Sequence, residues 1–216
     1  MLAAMFPALC VLHADATLLA VHKPAGLLAV PGRGEAGRVN LTAQVQATWP
    51  DALVVHRLDM ATSGLMLFAR GPAAQRQLSI AFAERRVHKR YVALVHGDVA
   101  GEAGEINAPL ITDWPRRPRQ VVDLQHGKAA LTRWQVLGRG EQGPEGTRTR
   151  LALEPVTGRS HQLRVHLQSI GHPIRGDALY SPDPARAPRL LLHASRLALA
   201  HPLHGQACIF DSEAPF

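Results

Sequence analysis

The chain has 216 residues, of which 46% are hydrophobic, and this suffices for a buried core in one domain, which we expect to divide into two lobes at most. Its 24 lysines and arginines outnumber 17 aspartates and glutamates, for a formal net charge of +7, which favours a polyanionic partner. Two cysteines, Cys10 and Cys208, exclude a disulfide framework, and no apolar run reaches the length of a membrane span. The apolar start has no basic residue or cleavage site of a signal peptide, so we expect a cytoplasmic protein.

Apolar runs bounded by turn residues predict strands, and apolar residues at three- and four-residue spacing predict helices. In chain order, the predicted elements are the strand Thr17–His22, the helix Asn40–Thr48, the strand Leu65–Ala69, a helix from Pro72 to about Arg86, the strands Arg90–His96, Ala129–Leu137 and Thr149–Glu154, and the helix Ser160–Ile170. Strands outnumber helices and do not alternate with them regularly. This pattern predicts an α+β fold with a mixed, largely antiparallel sheet and flanking helices.

Local residue types support the two longer helices. Pro72 suits a first helical turn, and an apolar stripe follows it at Ala74, Leu78 and Ala81. Ser160 is the predicted N-cap of the last helix, which is expected to end before Gly171. Between the two preceding strands, the glycine-rich segment Gly138–Gly146 is predicted to be a loop.

A carboxylate stands in a polar turn between two apolar segments, in the sequence His56-Arg57-Leu58-Asp59-Met60-Ala61-Thr62-Ser63-Gly64. An aspartate flanked by an arginine and two hydroxyls is a candidate reactive group. An aspartate that only caps the turn is an equally good interpretation of this local pattern.

A second polar cluster is the segment Thr157-Gly158-Arg159-Ser160-His161-Gln162-Leu163-Arg164-Val165-His166. On a helix, His161, Arg164 and Gln168 share one face. Arg164 on that face could keep a carboxylate ionised at a partly dry site. The alternative is an ordinary solvated helix face.

Two cationic segments complete the candidate groups. The run Arg85–Arg90 leads directly into Tyr91, and a tyrosine beside cations can stack on an extruded base, although packing in a core strand is the alternative. The segment Trp114–Arg119 forms a proline-stiffened cationic loop that could probe a nucleic-acid groove or simply face solvent.

Three other patterns are weak. Gly32–Gly37 matches a dinucleotide-binding fingerprint, but it follows Pro31 and no βαβ unit comes after it. Ser160 and His161 are adjacent on a helix, where side chains point about 100° apart, so they do not suit a hydrolase triad. The histidine pairs lack a carboxylate at metal-binding spacing, so no metal is expected.

The motifs around Asp59, Tyr91 and Arg164, in this order, resemble those of the RluA family of pseudouridine synthases. The family's tyrosine motif resembles Lys89–Val95, and supporting similarities occur at Lys23–Leu27, Gly171–Asp177 and Leu190–Ala194. The resemblance extends from about Val11 to Phe210. It implies the pseudouridine synthase fold, with a central catalytic cleft across a mixed sheet.

The resemblance also implies roles for individual residues. Asp59 resembles the aspartate that attacks the target uridine, Tyr91 the tyrosine stacked on the uracil, and Arg164 the basic residue paired with the aspartate. The implied substrate-binding residues are Arg57, which would fill the gap left by the flipped base, together with His56, Thr62 and Leu163. The implied RNA-binding residues are Lys89, Arg90, Arg116, Arg117 and Arg119.

The chain has no room for the S4-type RNA-binding domain of many family members, so one catalytic domain would have to bind RNA alone. This compact form resembles dual-specificity members that act on large-subunit (23S-type) ribosomal RNA and on a tRNA anticodon stem-loop. The isomerisation needs no redox step or energy input, so we expect no cofactor. Separately, we expect a monomer that requires no protein partner. Two alternatives stay open: a non-catalytic RNA-binding module, and a hydrolase acting on RNA or a nucleoside.

Overall fold

The computed structural model describes residues 8–143 and 146–216. This part of the chain divides into two compact units. Unit 1 consists of residues 8–89 and 193–215, and unit 2 consists of residues 90–192, apart from the gap, together with Phe216. None of the helices within the described ranges is both long and apolar enough to cross a membrane.

Strands make up most of the regular structure. In chain order the elements are β1 (Cys10–Ala14), β2 (Leu18–Lys23), α1 (Leu41–Thr48), β3 (Ala52–Val54), β4 (Ser63–Arg70), α2 (Gly71–Ala83), β5 (His88–His96), β6 (Ala103–Asn107), β7 (Leu110–Thr112), β8 (Gln120–Val122), β9 (Leu131–Gly143), β10 (Gly146–Pro155), α3 (Gln162–Ser169), β11 (Leu192–Ala200) and β12 (Ala207–Asp211).

Strand β4 is the centre of unit 1. It pairs antiparallel with β2 and β3 and parallel with β11, and β11 pairs antiparallel with β12. Alternate residues of β4 point to opposite faces, so that Leu65 and Leu67 pack in the cluster that includes α2, whereas Met66 and Phe68 pack in the cluster that includes α1. Both faces are therefore buried, which explains why this strand is apolar throughout instead of alternating.

Unit 2 is built on a four-stranded antiparallel sheet in the order β5-β10-β9-β6. Strands β7 and β8 form a separate antiparallel hairpin, and α3 packs against β8, β9 and β10. A small core forms around this helix from Leu110, Ala130, Val165 and Tyr180. The predicted α+β class with a largely antiparallel sheet is confirmed.

The structure corrects three predicted boundaries. The segment Gly138–Gly146 is not a loop over most of its length, because β9 continues to Gly143 and β10 begins at Gly146. The strand accommodates a glycine at position 140 because the Arg148 side chain lies against it. A Cβ atom on Gly140 would come within 2.5 Å of that side chain. Helix α2 ends at Ala83 rather than near Arg86, since Arg85 adopts a left-handed φ of 60°.

The third correction concerns the start of α3. Its N-cap is His161, with a left-handed φ of 52°, and not Ser160. Gln162, the first residue of the helix, accepts the N–H of Arg159 through its Oε1 at 3.0 Å and so fixes the turn that precedes the helix. The predicted apolar stripe of α2 is confirmed, with Ala74, Leu78 and Ala81 buried against the sheet of unit 1.

Candidate active site

The loop that carries Asp59 connects β3 to β4 in unit 1 and is fixed through its backbone. The Thr62 N–H donates to the Asp59 carbonyl at 3.1 Å and closes a tight turn. The Met60 carbonyl accepts from the N–H of Gly26 at 2.8 Å and from Nζ of Lys23 at 2.9 Å. The Asp59 side chain is half-buried. A half-buried carboxylate on a rigid loop is well suited to react with a ligand that approaches from solvent.

Lys23 is fully buried beneath this loop and donates to three carbonyl oxygens, those of Pro24, Leu27 and Met60, at 2.7–2.9 Å. Burial lowers the pKa of Lys23 to about 7, and the negative charge of Asp59 opposes that decrease. Three acceptors match the three N–H groups of a charged ammonium. The sequence indicated Lys23 only as part of a turn and of the supporting motif Lys23–Leu27; a lysine ending a largely apolar strand was the available signal for its buried position.

The other end of the loop is fixed by β11. Ser63 and His193 pair side chain to side chain, with 2.9 Å between Oγ and Nδ1. Gly64 has a φ of +113°, and a Cβ atom there would come within 2.3 Å of the Ala194 carbonyl oxygen. Only glycine fits this close parallel pairing of two backbones. The glycine of the Asp59 motif therefore sets where the strand after the loop begins.

His56 and Lys89 are closely associated in unit 1. The His56 ring stacks on Phe82 at 4.5 Å between centroids, and its Nε2 accepts the Leu67 N–H at 2.9 Å. Burial, together with the smaller effect of the Lys89 cation, lowers the pKa of His56 to about 3. The pKa of Lys89 is itself lowered by burial and by Arg85. His56 is therefore neutral and supports the backbone of β4.

The remaining predicted groups near Asp59 differ in exposure. Arg57 is exposed, as its predicted role of entering the space left by a base requires. Thr62 is buried, with 3% of its surface exposed. The substrate contacts of His56, Arg57 and Thr62 remain predictions.

In unit 2, Arg164 is held by a buried carboxylate. Its Nε and Nη2 donate to Oδ2 and Oδ1 of Asp177 at 2.8 and 2.7 Å. Asp177 also accepts the N–H groups of Leu179 and Tyr180. Arg164 is 5% exposed, so this part of α3 is not a solvated helix face. A bidentate pair of this kind fixes the orientation of an arginine before any substrate arrives. The pairing of Arg164 with Asp59 remains a prediction.

The rest of the Arg164 motif attaches α3 to β9 through a buried polar network. Gln162 Oε1 accepts from the Thr157 hydroxyl at 2.7 Å, and its Nε2 donates to the Leu131 carbonyl at 2.9 Å. His166 Nδ1 lies 2.9 Å from the Thr132 hydroxyl and its Nε2 lies 2.9 Å from the Ala108 carbonyl. Because these groups satisfy each other, the helix has a single preferred position on the sheet.

Tyr91 and Arg90 point to opposite faces of β5. Tyr91 is half-buried and lies opposite Leu153 of β10. Arg90 forms an exposed ion pair with Glu154, with 3.1 Å between Nη2 and Oε1. Leu163, at the start of α3, is 6% exposed. Base stacking by Tyr91 and packing of Leu163 against the base remain predictions.

The cationic loop, residues 113–119, connects β7 to β8. Trp114 is 65% exposed, and the Arg117 guanidinium lies over its ring at 4.8 Å from the centroid. Arg116 pairs with Asp113 at 2.6 Å, and Arg119 lies over the ring of Tyr180 at 5.3 Å. An exposed indole next to arginines is a surface that suits nucleobases and phosphates.

The predicted site residues fall into both units. Unit 1 contributes His56, Arg57, Asp59, Thr62 and Lys89, and unit 2 contributes Arg90, Tyr91, Arg116, Arg117, Arg119, Leu163 and Arg164. Within residues 8–143 and 146–216, no group of three or more histidines, cysteines, aspartates or glutamates could hold a metal ion.

Comparisons with known proteins identify related sequences over nearly the whole chain. The family described as RNA pseudouridylate synthase matches residues 17–169. The dual-specificity RNA pseudouridine synthase RluA of Yersinia pestis is 47% identical over 208 residues, which cover 95% of this chain and 99% of that protein. The RluA of Vibrio parahaemolyticus is 50% identical over 191 residues, which cover 87% of this chain and 76% of that protein.

A solved structure has a similar fold. Human RNA pseudouridylate synthase domain containing 1 superposes with a TM-score of 0.81 at 28% identity. The match covers 96% of this chain and 84% of the human chain.

Proposed function

Because the chain belongs to the RNA pseudouridylate synthase family, we propose that it converts specific uridines of structured RNA to pseudouridine, with Asp59 as the nucleophile. The observation that carries this assignment is the half-buried Asp59 carboxylate on a loop whose backbone is fixed by Lys23, Gly26 and Thr62. Such a loop holds the carboxylate in place through its backbone hydrogen bonds.

The reaction is an isomerisation with a closed atom balance. The bond between N1 of uracil and C1′ of ribose breaks, the detached base rotates, and a bond forms between C5 and C1′. The proton leaves C5 and N1 gains one, so no oxidant, reductant or cofactor is required. Asp59 acts as the anion that attacks or stabilises the electrophilic intermediate.

The other motif residues receive supporting roles in this proposal. Tyr91 stacks on the uracil and Leu163 packs against it, so the detached base cannot escape. Arg164 supplies the positive charge that keeps Asp59 ionised. Arg57 occupies the space left by the extruded base, and extrusion costs least for a nucleotide that is already in a loop.

For the substrate, we propose large-subunit ribosomal RNA, a tRNA anticodon stem-loop, or both. This follows the name of the similar RluA proteins, which are dual-specificity RNA pseudouridine synthases. Lys89, Arg90, Arg116, Arg117 and Arg119 would contact the phosphates. Both RNA classes are cytoplasmic, and the enzyme would act there as a monomer.

The decisive experiment is the variant Asp59→Asn. It should abolish pseudouridine formation while leaving the Kd for a stem-loop RNA within about threefold of the wild type, since it removes the charge and little volume. Asp51→Asn, an exposed aspartate of the same unit that pairs with Arg70, is the control and should retain full turnover.

Chemical mapping of pseudouridine and the mass of the RNA give separate readouts. Pseudouridine formation leaves the RNA mass unchanged, whereas a hydrolase would release uracil or fragments. Substantial pseudouridine formation by Asp59→Asn would show that the nucleophile has been assigned wrongly. Binding without any modification by the wild type would favour the RNA-binding module.

A further inference from the structure

Tyr180 connects the cationic loop to the helix that carries Arg164. It follows Asp177 in the turn after α3, and its side chain is 4% exposed, packed with Leu110, Ala130 and Val165. Its hydroxyl accepts the N–H of Gln120 at 2.8 Å. Gln120 is the first residue after the cationic loop, and that loop is closed by the Asp113 N–H donating to the Arg119 carbonyl at 3.0 Å.

The same hydroxyl reaches α3 from the other side. It lies 2.7 Å from Nδ1 of His161, the left-handed N-cap residue of that helix. When His161 carries its proton on Nε2, the hydroxyl donates in this bond and accepts in the bond with Gln120. One oxygen atom thus joins the end of the loop to the start of the helix, in a buried place where the loss of a hydrogen bond is costly.

The ring of Tyr180 makes a second set of contacts, with two arginines. The guanidinium carbons of Arg164 and Arg119 lie 5.0 and 5.3 Å from its centroid, within the range of cation–π attraction. The backbone N–H of Tyr180 also donates to Asp177, the carboxylate that holds Arg164. Tyr180 therefore contacts Arg164 through the ring and through the shared carboxylate.

On these contacts, we propose that Tyr180, together with His161, is a positioning residue that couples RNA binding by the cationic loop to the orientation of Arg164. This inference rests on the proposed pseudouridine synthase function and deepens it. Displacement of the loop would be transmitted through Gln120 and Tyr180 to the first turn of α3. Neither Tyr180 nor His161 needs to touch the RNA.

Four variants test the coupling. Tyr180→Phe keeps the ring and removes the hydroxyl, and we expect kcat to fall about tenfold and the Kd for a stem-loop RNA to rise about fivefold, as loss of a buried bridge would cause. The kcat of His161→Ala should fall to a similar value. His161→Asn should retain kcat within about threefold, because its amide oxygen accepts where Nδ1 did and asparagine tolerates a left-handed φ. Tyr180→Phe/His161→Ala should be no worse than either single variant.

The matched control is Val165→Ala, which removes packing from the same small core and keeps every one of these hydrogen bonds. It should lower Tm while leaving kcat and KM unchanged. If Tyr180→Phe lowers only Tm, as Val165→Ala does, the coupling is refuted. If the kcat of His161→Asn were as low as that of His161→Ala, the proposed coupling would also be overturned.

The two proposals fail in different ways. A wild-type protein that binds RNA without forming pseudouridine contradicts the proposed function. In that case the RNA affinity still decides the inference, because Tyr180→Phe must weaken binding through the loop and Val165→Ala must not.

Discussion

At the scale of single residues, Lys23 has the most unusual environment. A fully buried ammonium is costly unless it is hydrogen-bonded, and here three carbonyl oxygens satisfy it. One of them belongs to Met60, the residue after Asp59. The cation therefore fixes the loop, and it also adds positive charge close to the Asp59 carboxylate.

We predict that Lys23→Met lowers kcat about tenfold or more, because it removes charge-assisted hydrogen bonds to the loop, while RNA affinity changes little. Steady-state pseudouridine formation and a binding titration measure the two quantities. Lys128→Met, at an exposed lysine of unit 2, is the control and should leave kcat unaffected. A Lys23→Met enzyme with wild-type kcat would mean that Met60 and Gly26 alone fix the loop.

His56 provides a prediction on pH. Its pKa in the folded protein is about 3, below its ordinary value of 6.5, so the unfolded chain binds a proton that the folded chain does not between these two values. The free energy of unfolding should therefore fall as the pH drops from 6.5 towards 3, by at most about 1.4 kcal/mol per pH unit from this group. Above pH 6.5 this contribution is constant.

His56→Gln should reduce that acid sensitivity. Its amide oxygen can accept the Leu67 N–H as Nε2 does, but the side chain does not titrate in this range. Urea unfolding at pH 7 and at pH 4.5 measures the difference for both proteins. Equal losses of stability in both would assign the acid sensitivity to other groups.

At the scale of secondary-structure elements, the cationic loop between β7 and β8 concentrates positive charge and an exposed indole. The variant Arg116→Glu/Arg117→Glu should weaken RNA binding. It should also reduce the slope of log Kd against log salt concentration by about 0.7–0.9 for each phosphate that the variant no longer neutralises. Titrations across a series of KCl concentrations give this slope. A slope equal to that of the wild type would exclude these arginines from the RNA interface.

How far the sequence predicts the elements depends on the range of the interactions that form them. The stripe of α2 and the apolar run of β4 are local patterns, and both were predicted. The N-cap of α3 was not, because His161 takes its conformation within contacts to Tyr180, nineteen positions away. Strand β11 was missed because its pairing with β4 depends on backbone contacts with Gly64 that no local pattern reveals.

The site shows the same division. Asp59, Tyr91 and Arg164 were predicted from motifs whose residue types suit the proposed chemistry, and their roles stay predictions. Asp177 was included only in a supporting motif and Tyr180 was not singled out, although both contact Arg164. Their importance comes from distances in the folded chain, which spacing in the sequence does not give.

At the scale of the whole molecule, the chain leaves unit 1 after residue 89, forms unit 2, and returns to unit 1 at residue 193. The predicted single domain, divided at most into two lobes, did not anticipate this interrupted arrangement. The net charge of +7 and the arginine-rich loop are properties that composition alone revealed.

The late return of the chain has a consequence for biosynthesis. The edge of β4 next to the Asp59 loop is covered by β11, and β11 leaves the ribosome only after residues 90–191. Throughout translation of that middle section, the start of β4 has an open edge, because β3 pairs only with Phe68–Arg70, and open edges invite wrong pairing between chains. The Asp59 loop thus gains its contact with β11 only after most of unit 2 has been made.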